Sequence, residues 1–87
     1  MAVQVYMKEH FFTLILTRDP DEDEADKLYQ AFNDGTVATV AGLPQISFHR
    51  LSDSLEAAIR SALEDVRSAG FAVGRVEIEP DSLLQAS

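Results

Sequence analysis

Residues 52–70, S-D-S-L-E-A-A-I-R-S-A-L-E-D-V-R-S-A-G, set the architecture of the chain. Leu55, Ala58, Ile59, Ala62, Leu63, Val66 and Ala69 recur at three- and four-residue steps, the spacing that aligns side chains on one helical face. Ser52, Asp53 and Ser54 offer an N-cap, with Asp53 and Glu56 at capping-box spacing. Gly70 supplies the left-handed residue at which such helices stop. Glu56, Arg60, Glu64 and Arg67 lace the other face with pairs three or four apart, each worth about a few tenths of a kcal/mol. A helix of this kind does not stand alone. Fixing its backbone costs about 1–2 kcal/mol per residue. Burying Leu55, Ile59, Leu63 and Val66 returns about 1.5–3 kcal/mol each. The remaining chain therefore has to offer an apolar surface, most simply a sheet.

Val3 to Thr17 reads as an extended β-rich segment. A straight strand puts Phe12, Leu14 and Leu16 on one side and Val3, Val5, Met7, Phe11 and Ile15 on the other. Either a bulge near Lys8–His10 or cover on both faces accommodates this pattern, and cover on both faces is preferred. Arg18-Asp19-Pro20 breaks the strand, with Asp19 as N-cap and Pro20 at the first position of a helix running to about Phe32. Asn33-Asp34-Gly35 ends that helix. Thr36–Ala41 and Gln45–Arg50 form a hairpin around Gly42-Leu43-Pro44, with Ile46 and Phe48 facing the core. After the long helix, Phe71 to Glu79 is a last strand. It points Val76 and Ile78 one way and Val73, Arg75 and Glu77 the other, and Pro80 stops it. Asp81 to Ser87 starts a short helix or frays.

Strand, helix, strand, strand, helix, strand with right-handed crossovers predicts an α+β fold. It is the ferredoxin-like split βαβ, written βαββαβ, a four-stranded antiparallel sheet with both helices on one face. The alternative is a rearranged α+β sandwich whose first strand pairs with a second chain. Residues 1–87 are read as one domain, since the length suffices for a single core.

Composition narrows the function. The apolar share of 46% and charged share of 25% are those of a globular protein. With no cysteine, disulfides, thiolate metal sites and thiol chemistry are excluded. No signal pattern follows Met1 and no apolar run reaches membrane-spanning length, so a cytoplasmic protein without membrane contact is expected. Six of the acids crowd into Asp19, Asp21, Glu22, Asp23, Glu24 and Asp26, and removing them would bring the net charge from −8 to −2. Such a balance argues against nucleic-acid binding by the isolated domain.

No chemistry-bearing constellation emerges. Asp19, Asp21 and Asp23 mimic the start of a calcium loop, but Glu24 stands where its glycine belongs and Gln30 where its closing carboxylate belongs. A helix N-terminus favoured by the macrodipole explains the run better. His10 and His49 are the only histidines; parity puts them on opposite faces, so they are read as surface residues rather than a metal pair. There is no nucleophile elbow, no identifiable His partner for a serine, and no glycine-rich phosphate cradle. No catalytic, cofactor-binding or metal-ligating residue is assigned, and no cofactor is expected. The sheet's second face, carrying Phe11, Thr13, Ile15, Ser47, His49, Val73, Arg75 and Glu77, is left as the informative surface. Its candidate interface residues are Val3, Val5, Met7, Phe11, Ile15 and Val73.

From Phe48 onward the chain resembles a group of small, largely uncharacterised bacterial proteins. They share Phe-x-Arg, Ser-Leu-Glu-x-Ala, Asp-Val-x-x-Ala-Gly and Arg-Val-Glu. The matching residues are Phe48 and Arg50, then Ser54, Leu55, Glu56 and Ala58, then Asp65, Val66, Ala69 and Gly70, then Arg75, Val76 and Glu77. Asn33-Asp34-Gly35-Thr36-Val37 echoes the group's Asp-Asp-Ala-Thr-Val. Some members continue into a helix-turn-helix segment, so the resemblance implies a non-catalytic module near bacterial transcription-type regulators. This chain stops at Ser87, and the group supplies no functional residues to carry over. The function expected is a bacterial interaction or regulatory module that forms a homodimer through its sheet face or N-terminal strand, with a protein partner as the further candidate. The alternatives are a small-ligand sensor with a pocket at the dimer interface and, behind it, an enzyme of unknown type.

Overall fold

The computed structural model describes residues 7–78. The elements are β1 (Lys8–Leu16), α1 (Glu22–Ala31), β2 (Gly35–Val40), β3 (Leu43–Ser52), α2 (Leu55–Ser68) and β4 (Val73–Glu77). The strands form one antiparallel sheet in the order β2-β3-β1-β4, with both helices packed on the same face, a ferredoxin-like βαββαβ arrangement. Val3, Val5, Pro80 and the segment Asp81 to Ser87 lie outside the described residues.

The core follows from strand alternation. Phe12 stands opposite Phe48 and Leu14 opposite Ile46 across β1 and β3. Together with Leu16 they receive Leu28 and Phe32 of the α1 segment and Ala58, Ala62 and Val66 of α2. Phe48 stacks on Phe12 at 5.4 Å between ring centroids and meets Phe32 at 4.8 Å, so the three rings tie β1, β3 and α1 together. Gly35 lies under this contact. A Cβ there would come within 2.9 Å of Phe32 Cε1, which explains the absence of a side chain at the start of β2.

Helix α2 packs in a way the periodicity does not reveal. Its apolar stripe is where it was expected, yet the fully buried residues are Ala58, Ala62 and Val66, while Leu55, Ile59 and Leu63 are only half-buried. Small side chains bring the helix close to the sheet, and the large ones overhang its flank. Ser54 is the N-cap, its hydroxyl accepting from the Ala57 N–H at 3.1 Å. Gly70, at φ 92°, follows the helix end.

Several local expectations are corrected. Helix α1 is capped by Asp21 rather than Asp19, through a capping box in which Asp21 Oδ1 accepts from the Glu24 N–H at 2.8 Å and Glu24 Oε1 from the Asp21 N–H at 3.1 Å. Asp19-x-x-Glu22 and Asp21-x-x-Glu24 have the same spacing. Arg18, 2.7 Å from the Glu24 carboxylate, favours the second. The hairpin turns at Ala41-Gly42, at φ 53° and 80°, the pair of positive angles that two-residue hairpins prefer. Pro44 belongs to β3, where the β1–β3 ladder has already ended at Ile15 and Gln45 and no N–H is needed. The less favoured alternative of a bulge near Lys8–His10 is not realised, since pairing with β3 runs unbroken from Lys8 to Ile15; an irregularity lies where β1 meets β4, because Leu16 pairs with Val73 and Ile15 with Arg75, leaving Gly74 over. Val73 thus turns toward the core instead of sharing a face with Arg75 and Glu77.

Candidate functional site: the outer face of the sheet

Odd-numbered residues of β1 and β3 build the face away from the helices. Register places Glu9 opposite Leu51, Phe11 opposite His49, Thr13 opposite Ser47 and Ile15 opposite Gln45. Phe11 is 45% exposed and Leu51 63%, and they are diagonal neighbours on the two central strands. Met7, just before β1, is 56% exposed. At the hairpin end of the same face, Val40 pairs with Leu43 and both are exposed. A polar band of Thr13, Ser47 and Thr36 separates the two apolar ends. On this face Glu9 lies 3.4 Å from His49 Nδ1 and Glu77 3.3 Å from Arg75.

The expected interface residues therefore part company. Phe11 and Met7 are exposed. Ile15 sits on this face but is only 6% exposed, so little of it is left for a partner, and Val73 has rotated to the core side. Leu51, Val40 and Leu43 are the exposed apolar residues that sequence reasoning missed. Leu51 shares odd parity with His49; reading β3 only as far as Arg50 hid it.

The best-formed polar cluster lies on the other side of the sheet and serves the fold. Arg50 is largely buried and donates through Nε and Nη2 to the two oxygens of Asp34 at 2.7 and 2.9 Å. Its Nη2 is also 2.9 Å from Asp65 of α2, and Nη1 donates to Ser61 Oγ at 3.0 Å. One guanidinium thereby fastens the α1–β2 connection and α2 onto β3. Hydrogen bonding from Arg50 lowers the Asp34 pKa, and the same bond to Asp34, with Asp65 behind it, raises that of Arg50. Phe48, Arg50 and Asp65 are among the residues that carry the resemblance, and here they act as ring, clamp and clamp partner.

His10, read from the sequence as a surface residue, is 7% exposed on the core side, directly opposite Arg50, with Nε2 3.2 Å from the Ser52 carbonyl oxygen. Glu24 is held at about 2 by its hydrogen bond from Arg18 and then by the Asp21 N–H. Among the described residues no group of three or more His, Asp or Glu side chains is placed to hold a metal ion, and no helix is long and apolar enough to cross a membrane.

No protein-family model matches the chain, and neither the curated proteins nor the solved structures compared with it give a match.

Proposed function

We propose that the protein is a non-catalytic interaction module that pairs with a second copy of itself through the outer face of its sheet, in a bacterial cytoplasmic setting that its lack of cysteine suits. The observation that carries this reading is the exposure of Phe11 and Leu51 as diagonal neighbours on the two central strands, on a face that antiparallel sheets make polar when it is left in water. Arg75 and Glu77 neutralise each other on this face, and His49 lies beside Glu9, so two such faces meet about a two-fold axis without a large like-charge cluster.

Size predicts the strength. Four strands spaced about 4.8 Å apart and five to ten residues long give a face of roughly 500 Å². That is below the roughly 800 Å² per partner of a standard interface. Association should therefore depend visibly on concentration. Sedimentation at rising concentration is expected to show a monomer–dimer equilibrium, and Phe11→Glu with Leu51→Glu should shift it to monomer while the circular dichroism spectrum is unchanged. A wild-type monomer at the highest concentration, or a double variant that dimerises as before, would sink the proposal.

A further inference from the structure

The two edges of the sheet are finished differently. At the β2 edge the Tyr29 hydroxyl accepts from the Val37 N–H at 3.0 Å, and Asp19 Oδ1 accepts from the Thr39 hydroxyl at 2.9 Å. A phenol and a carboxylate thus block that strand from pairing further. The β4 edge has no such block among the described residues. Beside it runs an apolar groove of about 410 Å³, floored by Leu55, Ile59 and Leu63 of α2 together with Ile78. The groove continues past Leu63 along Val73 and Val76. These are the side chains that α2 leaves overhanging the flank. A helix that presents alanines to its own sheet and leucines beyond the sheet's edge has room for one more strand beneath it.

Its lining also differs in charge from the rest of the molecule. Among the described residues, Arg60, Arg67 and Arg75 border it, with the carboxylates of Glu56 and Glu77 beside two of them, on a chain of net charge −8. Arg60 and Arg75 are held only by exposed pairs with Glu56 and Glu77, which an incoming carboxylate can replace. Arg67 has no ion pair among the described residues.

The geometry points to a peptide-binding site: an extended partner segment alternating acidic and aliphatic residues lies along the edge of β4, which pairs with no strand among the described residues. Strand alternation sends its aliphatic side chains into the groove under α2 and its carboxylates to the outer side, where Arg75 meets them, while Arg60 and Arg67 at the border of the groove attract an acidic segment as a whole. The main chain supplies affinity by adding to the sheet and the groove supplies selectivity. The leftover Gly74 limits strand addition to the stretch after it, because a bulge interrupts regular pairing. The groove belongs to the helix side and flank of the sheet, away from Phe11 and Leu51, and Arg75 is the one member of the site that lies on the outer face.

The test uses a short fluorescein-labelled peptide alternating aspartate with valine and leucine, and a control with lysine for each aspartate. Fluorescence anisotropy with the full chain in physiological salt is expected to show saturable binding of the acidic peptide only. Arg67→Glu together with Arg75→Glu should weaken it about tenfold or more, the usual scale for lost charge complementarity at an interface. Both sites are exposed, so the variant should stay folded. Amide resonances of residues 75–78 and of the Ile59–Leu63 side of α2 should shift on titration. Three results would overturn the proposal: no saturable binding, equal binding of the lysine peptide, or shifts confined to the strands around Phe11 and Leu51.

Discussion

The two faces of the sheet are made from the same strands, residue by residue in alternation, and are put together on opposite principles. On the helix side, Phe12–Phe48 and Leu14–Ile46 are paired large apolar side chains, all buried, with helices supplying the third dimension of the packing. On the outer side, Phe11–His49, Thr13–Ser47 and Ile15–Gln45 each set an apolar or small side chain against a polar one. Only Ile15 is buried there. The first face is finished within the chain. The second keeps part of its apolar surface in water.

The sharpest way to separate the faces is to truncate neighbours in sequence that point in opposite directions. Leu14→Ala deletes a side chain that is 0% exposed and should cost about 3–4 kcal/mol in urea denaturation, transfer and cavity together. Phe11→Ala, three residues earlier and half in water, should change monomer stability far less and act mainly on self-association. Equal losses for the two would mean that the outer face is packed in the isolated chain.

The core face has its own exception in the polar rung His10–Arg50, and removing the cation tests what that rung does. Arg50→Met leaves the Asp34 and Asp65 carboxylates without their partner. The loss should fall near the lower end of the about 3–5 kcal/mol typical of broken buried pairs, because Asp65 is still partly in water. Acid adds an independent readout. The folded-state pKa of Asp34 is lower than its unfolded value, so its contribution is complete above about pH 4 and is lost as pH falls through the folded value. Glu24, held at about 2, titrates in the same direction. Wild-type stability should therefore decline from about pH 4 toward pH 2, and Arg50→Met should flatten the Asp34 part of that decline. A variant with the wild-type acid profile would remove Arg50 as the cause.

The smallest effect comes from making the outer face more like the inner one. Ser47→Val replaces an exposed hydroxyl in the middle of the polar band with a β-branched side chain suited to a central strand. Monomer stability should move by no more than about 0.5 kcal/mol, while the monomer–dimer equilibrium shifts toward the dimer. If association weakens instead, the polar band and not the apolar ends makes the contact.

What could be read from the chain beforehand divides along the same line. The helix side was legible because it is a local pattern repeated: period two in β1 and β3, period three-to-four in α2, and end signals at Ser54 and Gly70. Asp21 was harder to find because the acidic run offers two caps of equal spacing, and the choice rests on Arg18. Arg18 also lies 4.1 Å from the Phe71 ring, so it answers to residues at both ends of the fold. The clamp at Arg50 was visible only as part of a resemblance, since its partners are sixteen residues before and fifteen after it and no periodicity links them. The outer face was half legible. Alternation found Phe11, but the exposure of Leu51 depends on where β3 ends, and the direction of Val73 on one irregular pairing.

That irregular pairing has an evolutionary side. Strike out Gly74 and the register Leu16–Val73, Ile15–Arg75, Leu14–Val76, Thr13–Glu77 becomes an unbroken ladder, with every side chain still on its present side. The glycine is thus an inserted letter in an otherwise grammatical strand. Deleting it would give a straighter border, open to another strand along its whole length, whereas the extra residue confines such joining to the few positions that follow it.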